Sequence, residues 1–509
     1  MQEIRSQRAK LNISTTLLKQ LVTTACGVVI PGIMISAYGS AMYGATTSIA
    51  QFLSYISLLE GGIGSVARGA LYEPLAKQDH ARISSVYQGV KFFFRCVGAV
   101  FLLYTIIIAT FYYDIANITI FSRKYTFFLV ISISLFTFAN YMGGFGNMTL
   151  LHADQRQYFT NIVITVTNII NTLCIILLVS LDTDLLIVKL ISSIIFIVRP
   201  ILYSSYVKKQ YVLTKQPRSR SALEQKWTGI GQHIAYFLHV NTDIILLTLF
   251  ADLKLVAVYS VYNLITYSIW NIASSFSGGM EAAFGDMLAK GEENALLHSY
   301  RYYKSILTIV SLILFGCATV LILPFIKLYT SGVTDANYIQ PLFGFILILC
   351  EAMNCLALPC STLPISANRL RQTRIGSYGE AFINITLSLV LIRWNPLLGV
   401  AMGTLTATLF KCIYYSIYSS KHILKCNPCN TISIFFASLA VLIVLGGFGM
   451  LLFRNLPINN YLIWAAWGVL AFLIIGFFVI LFGFVVFPQE VKTMFIACRK
   501  RIKNIFRKA

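Results

Sequence analysis

Fourteen runs of about 20 residues or more, each dominated by apolar side chains, follow one another along the 509-residue chain. A run of that length crosses the hydrocarbon core of a bilayer as an α-helix. In that core only helices and closed barrels can satisfy their own backbone groups. The runs cover 16–37, 41–69, 84–111, 124–150, 156–181, 184–208, 227–250, 255–285, 302–328, 338–365, 372–393, 396–420, 431–454 and 460–486. They predict an all-α polytopic membrane protein with 14 transmembrane helices. Composition agrees: 57% of residues are hydrophobic and only 12% are charged, far from the balance of a soluble domain.

Basic residues orient the runs. With the N-terminus in the cytoplasm, 29 of the 40 Lys and Arg fall in inward-facing segments, among them Lys290, Arg301 and Lys304. Five (Arg123, Lys124, Lys254, Arg393 and Arg454) fall outward, and six lie within spans. This asymmetry obeys the positive-inside rule and predicts that both termini are cytoplasmic. It also explains the excess of base over the 19 acids without invoking nucleic acid. The first apolar run follows a polar start and continues into a full span, so no cleavable signal is expected. Eleven cysteines lie mostly within apolar runs. The C-x-x-C at Cys426 and Cys429 has no second pair, so neither metal nor cofactor is expected.

The polar stretch Lys208–Lys226 divides the spans six and eight. Across it a pattern recurs: Tyr43, Gly61-Gly62 and Leu75-Ala76-Lys77 in one half, Tyr259, Gly278-Gly279 and Leu288-Ala289-Lys290 in the other. Two six-helix lobes of like orientation are predicted, related by an axis along the membrane normal. The expected divisions are an N-lobe at 1–208, a basic linker at 209–226, a C-lobe at 227–425, two further helices at 426–487 and a basic amphipathic tail at 488–509.

Function is signalled by charge inside the spans. The run beginning at Ser84 is apolar through Tyr113, yet Lys91 and Arg95 lie four residues apart on one face. A charge near mid-bilayer costs about 2.5–3.5 kcal/mol on insertion scales and marks a protein interior or a wet cavity. Arg199, just before Pro200, and Lys411 fall at similar inner depth, with Arg68 at an inner edge and Lys189 and Lys327 further out. Arg grips phosphate through two nitrogens and Lys as a point charge, so these seven cations predict an anion-accepting cavity. Glu60, Asp243, Glu351 and Glu380 stand against them, suited to ion coupling or gating. Pairing of cations with these acids, without ligand, is the competing reading. Polar stripes at helical spacing supply candidate sugar contacts: Asn161 and Asn168 on the fifth run, Tyr236 and His239 on the seventh, and Asn384 on the eleventh.

The chain resembles Wzx-type polysaccharide-repeat flippases of the multidrug/oligosaccharidyl-lipid/polysaccharide exporter superfamily. The likeness runs over about residues 10–486. It rests on Ile30-Pro31-Gly32 with Tyr43-Gly44, on Leu59-Glu60-Gly61-Gly62-Ile63-Gly64 leading to Arg68, and on Asn241-Thr242-Asp243-Ile244-Ile245-Leu246-Leu247 followed by Tyr259-Ser260-Val261-Tyr262. Glu60 stands where relatives often have Asp. The resemblance implies two six-helix lobes around a central cationic cavity. It further implies movement of an undecaprenyl-diphosphate-linked oligosaccharide to the outer leaflet of the bacterial inner membrane, for O-antigen, capsule or exopolysaccharide synthesis. A polysaccharide polymerase and chain-length machinery are the implied partners, besides the lipid-linked substrate and the bilayer. Arg68, Arg95 and Arg199, then Lys91 and Lys411, match the cations thought to hold the lipid-linked sugar.

Two other functions compete. A drug/cation antiporter of the same superfamily would need buried carboxylates and an acidic cavity, whereas like charge here repels a cationic drug. A membrane polymerase or transferase would need a large external loop or a catalytic His. The six His are scattered, and His239, four residues before Asp243, is the nearest approach to a dyad. No P-loop is present, and the chain is expected not to be an enzyme. The topology has a direct test. A reporter phosphatase fused after Ala509 is expected to be inactive and a fluorescent protein there bright. The reverse result sinks the charge-based orientation.

Overall fold

The computed structural model describes residues 2–61, 63–214, 216–218, 230–275, 277–453 and 458–496. Among them every regular element is helical: α1 (Gln2–Tyr38), α2 (Ser40–Ser54), α3 (Ile63–Lys77), α4 (His80–Ile115), α5 (Arg123–Ala139), α6 (Phe145–Ala153), α7 (Gln157–Ser180), α8 (Leu185–Gln210), α9 (Ile230–Phe250), α10 (Leu253–Ser274), α11 (Ser277–Lys290), α12 (Glu293–Tyr329), α13 (Pro341–Ser366), α14 (Leu370–Leu391), α15 (Pro396–His422), α16 (Pro428–Phe453) and α17 (Tyr461–Val486). A 3-10 turn (Tyr55–Glu60) follows α2, and a π turn (Asn140–Gly144) joins α5 to α6 without a break. Side-chain caps start several helices. Asp79 accepts from Arg82 N at 2.9 Å, and Asn395 and Asn460 accept from Leu398 N (3.1 Å) and Ile463 N (2.8 Å). Each satisfies one of the donors a helix start leaves orphaned.

Ten described helices have the length and hydropathy of a membrane span, against the fourteen expected. Three of the other four runs fall short for physical reasons. The second is broken at Gly61 (φ 52°) between the 3-10 turn and α3, and the eighth divides between α10 and α11. The seventh has a described apolar stretch only over Phe237–Phe250. The eleventh, α14, carries Arg371, Arg374, Glu380 and Asn384. The two broken runs are the two members of the sequence repeat; the first breaks at Gly61 and the second between Ser274 and Ser277, just before Gly278-Gly279. The linker from 219 and the tail beyond 496 lie outside the described residues. Up to 496 the tail is helical from 488, with Val491 buried and Phe495 and Ile496 exposed.

The chain divides into two compact units, 1–260 with 332–336 and 261–331 with 337–509. The first therefore takes in α9, which sequence reading assigns to the second lobe. Gln51 donates to Asn241 Oδ1 at 2.6 Å, Ser48 meets Thr248 Oγ1 at 2.6 Å, and α2 approaches so closely that a Cβ on Gly44 would strike the Leu253 carbonyl. Asp335 joins this unit by capping α2, accepting from Ser40 N at 2.8 Å and Ser40 Oγ at 2.7 Å.

Small and polar residues make the seams, as expected where lipid is as apolar as leucine and helices associate by close packing and hydrogen bonds. In the first unit α1 lies along α7. Asn161 donates to Thr16 Oγ1 (2.9 Å), Asn168 to Thr23 Oγ1 (3.1 Å), and Asn12 accepts from Tyr158 N (2.7 Å). In the second unit α14 packs on α15 through Gly376, Gly379, Gly399 and Gly403. A Cβ on Gly403 would sit 2.9 Å from Ser388 N and collide with Ser388 Oγ, whereas one on Gly447 of α16 would meet nothing within 4 Å. Gly403→Ala is thus expected to lower stability by about 1–3 kcal/mol, the usual cost of overpacking, and Gly447→Ala to leave it unchanged. Thermal unfolding of the two purified variants in detergent checks this.

Candidate functional site

In the first unit the site is built around the π turn. Its surplus residue widens the helix at Asn140–Gly144, a distortion frequent at functional sites. Gly143 and Gly144 close the turn and Gly146 follows it. The glycine at 146 lets α4 come close: a Cβ on Gly146 would lie 3.4 Å from Lys91 Cα, and one on Gly98 would strike Met142. An aromatic cluster fills the junction. Tyr141 stands 5.7 Å from Phe101 and 5.0 Å from Phe145, and Phe94 lies 5.3 Å from Phe145.

Polar groups are threaded through this cluster. Tyr141 donates to Glu60 Oε1 at 2.5 Å, which ties the broken second run to the π turn. Tyr87 donates to Asn147 Oδ1 at 2.6 Å, and Lys91 sits 5.6 Å over the Tyr87 ring, partly buried. One turn on, Arg95 is exposed, at the edge of the α4 face that carries Phe92, Leu102 and Ile106. Arg68 is partly buried on α3, within reach of Gly64.

Arg199 is held by neutral groups. Its Nε donates to Thr167 Oγ1 (2.7 Å), its Nη2 donates to Asn168 Oδ1 (2.6 Å), and the guanidinium covers the Phe196 ring at 4.1 Å. Among the described residues no carboxylate pairs with it. Hydrogen bonds of this kind orient a guanidinium and leave its charge uncancelled. Asn168 therefore serves both the α1 seam and the positioning of Arg199. Lys189 is partly buried on α8 and Lys327 exposed near the end of α12. Asp243 is buried at 2% exposure and accepts from Tyr259 at 2.9 Å, and His239 is buried one turn before it. The Tyr236 side chain lies outside the described residues.

The second unit answers its charge differently. Lys411 Nζ stands 2.9 Å from Glu380 Oε1 and 3.4 Å from Asn354 Oδ1, and Asn354 also donates to Glu351 Oε2 at 3.4 Å. Asn384, fully buried, donates to Thr404 Oγ1 at 3.1 Å. Of the predicted residues, then, the π turn and its neighbours gather Glu60 and Lys91. Arg199 joins Asn168, and Lys411 joins Glu380 with Glu351 one residue removed. Asn161 and Asn384 sit in seams. No metal-ligating cluster of three or more His, Cys, Asp or Glu occurs among the described residues.

No family model and no curated protein matches the sequence. Solved structures do, and they are transporters and flippases. The chain is similar to the lipid II flippase MurJ in an inward closed conformation, with a TM-score of 0.68 at 13% identity over 91% of this chain and 97% of that one. It is similar to the MATE multidrug transporter DinF-BH (TM-score 0.56, 16% identity, 81% and 95%). It also matches an inward-facing MATE family transporter of the MOP superfamily (0.57, 14%, 81% and 98%). The fold is thus that of these multi-pass membrane transporters.

The Lys411–Glu380 pair generates a prediction. Removing one partner of a buried ion pair strands the other, at a cost of about 3–5 kcal/mol, whereas replacing both with apolar groups is close to neutral. Lys411→Met is expected to destabilise the protein strongly and the double variant with Glu380→Leu to recover most of the loss, as read from unfolding in detergent. Equal losses in single and double variants refute the pairing.

Proposed function

We propose that this protein flips an undecaprenyl-diphosphate-linked oligosaccharide from the inner to the outer leaflet of a bacterial cytoplasmic membrane, serving surface-polysaccharide synthesis. The observation that carries the reading is Arg199, a guanidinium within a membrane-spanning helix oriented by a hydroxyl and an amide and not by an acid. Such a cation is set up for a diphosphate that arrives and leaves, because no resident carboxylate has to be displaced. Lys91, Arg95 and Arg68 add positive charge in the same unit. Likeness to a lipid II flippase over most of the chain supports a lipid-linked substrate. Sugars would use neutral hydroxyls and amides, and the isoprenoid would stay in lipid. A membrane potential negative inside favours outward movement of a net anion by about 2.3 kcal/mol per charge per 100 mV when the charge crosses the whole field. A polymerase and chain-length machinery would receive the flipped unit.

The multidrug antiporter reading draws on the MATE likeness and on buried Asp243 and Glu380. It is the weaker one, because Glu380 already stands against Lys411.

Complementation separates the two. Arg199→Ala and Arg95→Ala are expected to abolish polysaccharide export in a flippase-null strain while protein levels in the membrane stay normal, with Arg199→Lys restoring part of the export. Normal export by both Ala variants, or drug resistance conferred by the wild type without polymer export, defeats the proposal.

A further inference from the structure

The basic linker contributes a cation to the first unit that lies outside every span. Leaving α8 at Gln210, the chain folds across the first turns of α4. Thr214 N donates to Ser84 Oγ at 3.0 Å, Gln88 donates to the Thr214 carbonyl at 2.8 Å, and Ser85 donates to the Pro217 carbonyl at 2.6 Å. These bonds carry Arg218 onto Phe92, with the guanidinium 3.8 Å from the ring centroid. A guanidinium that rests on a ring by its face keeps the N–H groups of its edge for a ligand.

Three more cations surround it. Lys91 precedes Phe92, Arg95 follows three residues later on the exposed side of α4, and Lys208 lies in the last turn of α8. The charges that reach Lys91 are those of Arg95 and Lys208, both positive. Among the described residues no acid pairs with any of the four. Cations gathered without an acid repel one another and favour an anion among them. Beyond Arg95 the exposed side of α4 is apolar, through Leu102, Leu103, Ile106 and Ile107. From Phe92 to Tyr113 the helix runs 22 residues, about 33 Å, which matches a hydrocarbon core of about 30 Å. Phe92 therefore marks the membrane boundary. The linker, Lys91 and Lys208 stand at headgroup level, and Arg95, one turn deeper, reaches back along its own stem. A basic corner above an apolar wall suits an anion that carries acyl chains, whereas a soluble anion would use only the upper half. We propose that this corner binds an anionic phospholipid of the inner leaflet, with its phosphate held by Arg218 and Arg95 and its acyl chains against Leu102, Leu103 and Ile106. The lipid would also fasten the linker to α4. The site does not depend on what the protein moves. Arg95 is shared with the cations assigned above to the transported diphosphate, so the test turns on Arg218.

The test titrates the full-length protein in nonionic detergent with phosphatidylglycerol or phosphatidylcholine of the same acyl chains, and native mass spectrometry counts the bound lipid. The wild type is expected to bind one phosphatidylglycerol about tenfold more tightly than phosphatidylcholine. Arg218→Ala, a change at an exposed position, should weaken phosphatidylglycerol binding about tenfold. Arg301→Ala, which removes an exposed cation of the second unit, should leave it unchanged. Equal binding of the two lipids by the wild type, unchanged affinity in Arg218→Ala, or an equal loss in Arg301→Ala overturns the site. Arg218-dependent binding of undecaprenyl diphosphate that is tighter than that of phosphatidylglycerol also overturns it, and assigns the corner to the transported lipid.

Discussion

A charge on a membrane-spanning helix must be answered, and the manner of the answer sorts the helices of this protein. In the second unit Lys411 is answered by Glu380, both are withdrawn from solvent, and the pair knits α14 to α15. In the first unit Arg199 receives a hydroxyl and an amide, which set its direction and leave its charge uncompensated. The first arrangement is a structural joint. The second is a cation held ready, and the functional reading follows from that difference more than from the number of basic residues. Lys91, placed over a tyrosine ring and against the backbone of Gly146, belongs with the second kind.

Helix breaks matter as much as charges. The second and eighth runs are each long enough to span, and each divides near a glycine pair. In the first unit the break is followed by a tether, Tyr141 to Glu60, so the freed segment is fixed by a side-chain bond where helical hydrogen bonds are interrupted. Irregular backbone at membrane depth is tolerated where protein or a wet cavity covers it.

Much of this was legible in the sequence. Apolar length found ten of the spans, because a helix in lipid satisfies its backbone within one contiguous segment, but not where α1 and α12 begin, since their polar first turns carry no apolar signal. The repeat of Tyr, Gly-Gly and Lys was legible as a repeat, but the break it carries in each half was read as one continuous span. The polar stripes were legible as faces but not as partners. Asn161 and Asn384 read as cavity walls, yet they bond to Thr16 and Thr404 across seams, because periodicity tells which side a residue is on and not what stands opposite. The burial of Lys304, only 7% exposed, was missed for a related reason. Its position at the start of a run made it look like a loop residue. The stripe Tyr300, Tyr303, Lys304, Leu307, Thr308 and Ser311, spaced by three and four, was the signal that α12 is covered on that side even at its polar end.

The π turn has a geometric effect that reaches beyond its own five residues. One amino acid more than an α turn requires shifts everything after it out of phase by about 100°. The helix from Arg123 to Ala153 is thereby two half-helices on one axis, each aimed at a different azimuth. Above the bulge it shows α4 one set of side chains, and below it another set that includes Gly146 and Asn147. A single rod can in this way act as a spacer at one level and as a docking edge at the next, with the glycines deciding how near its neighbour comes.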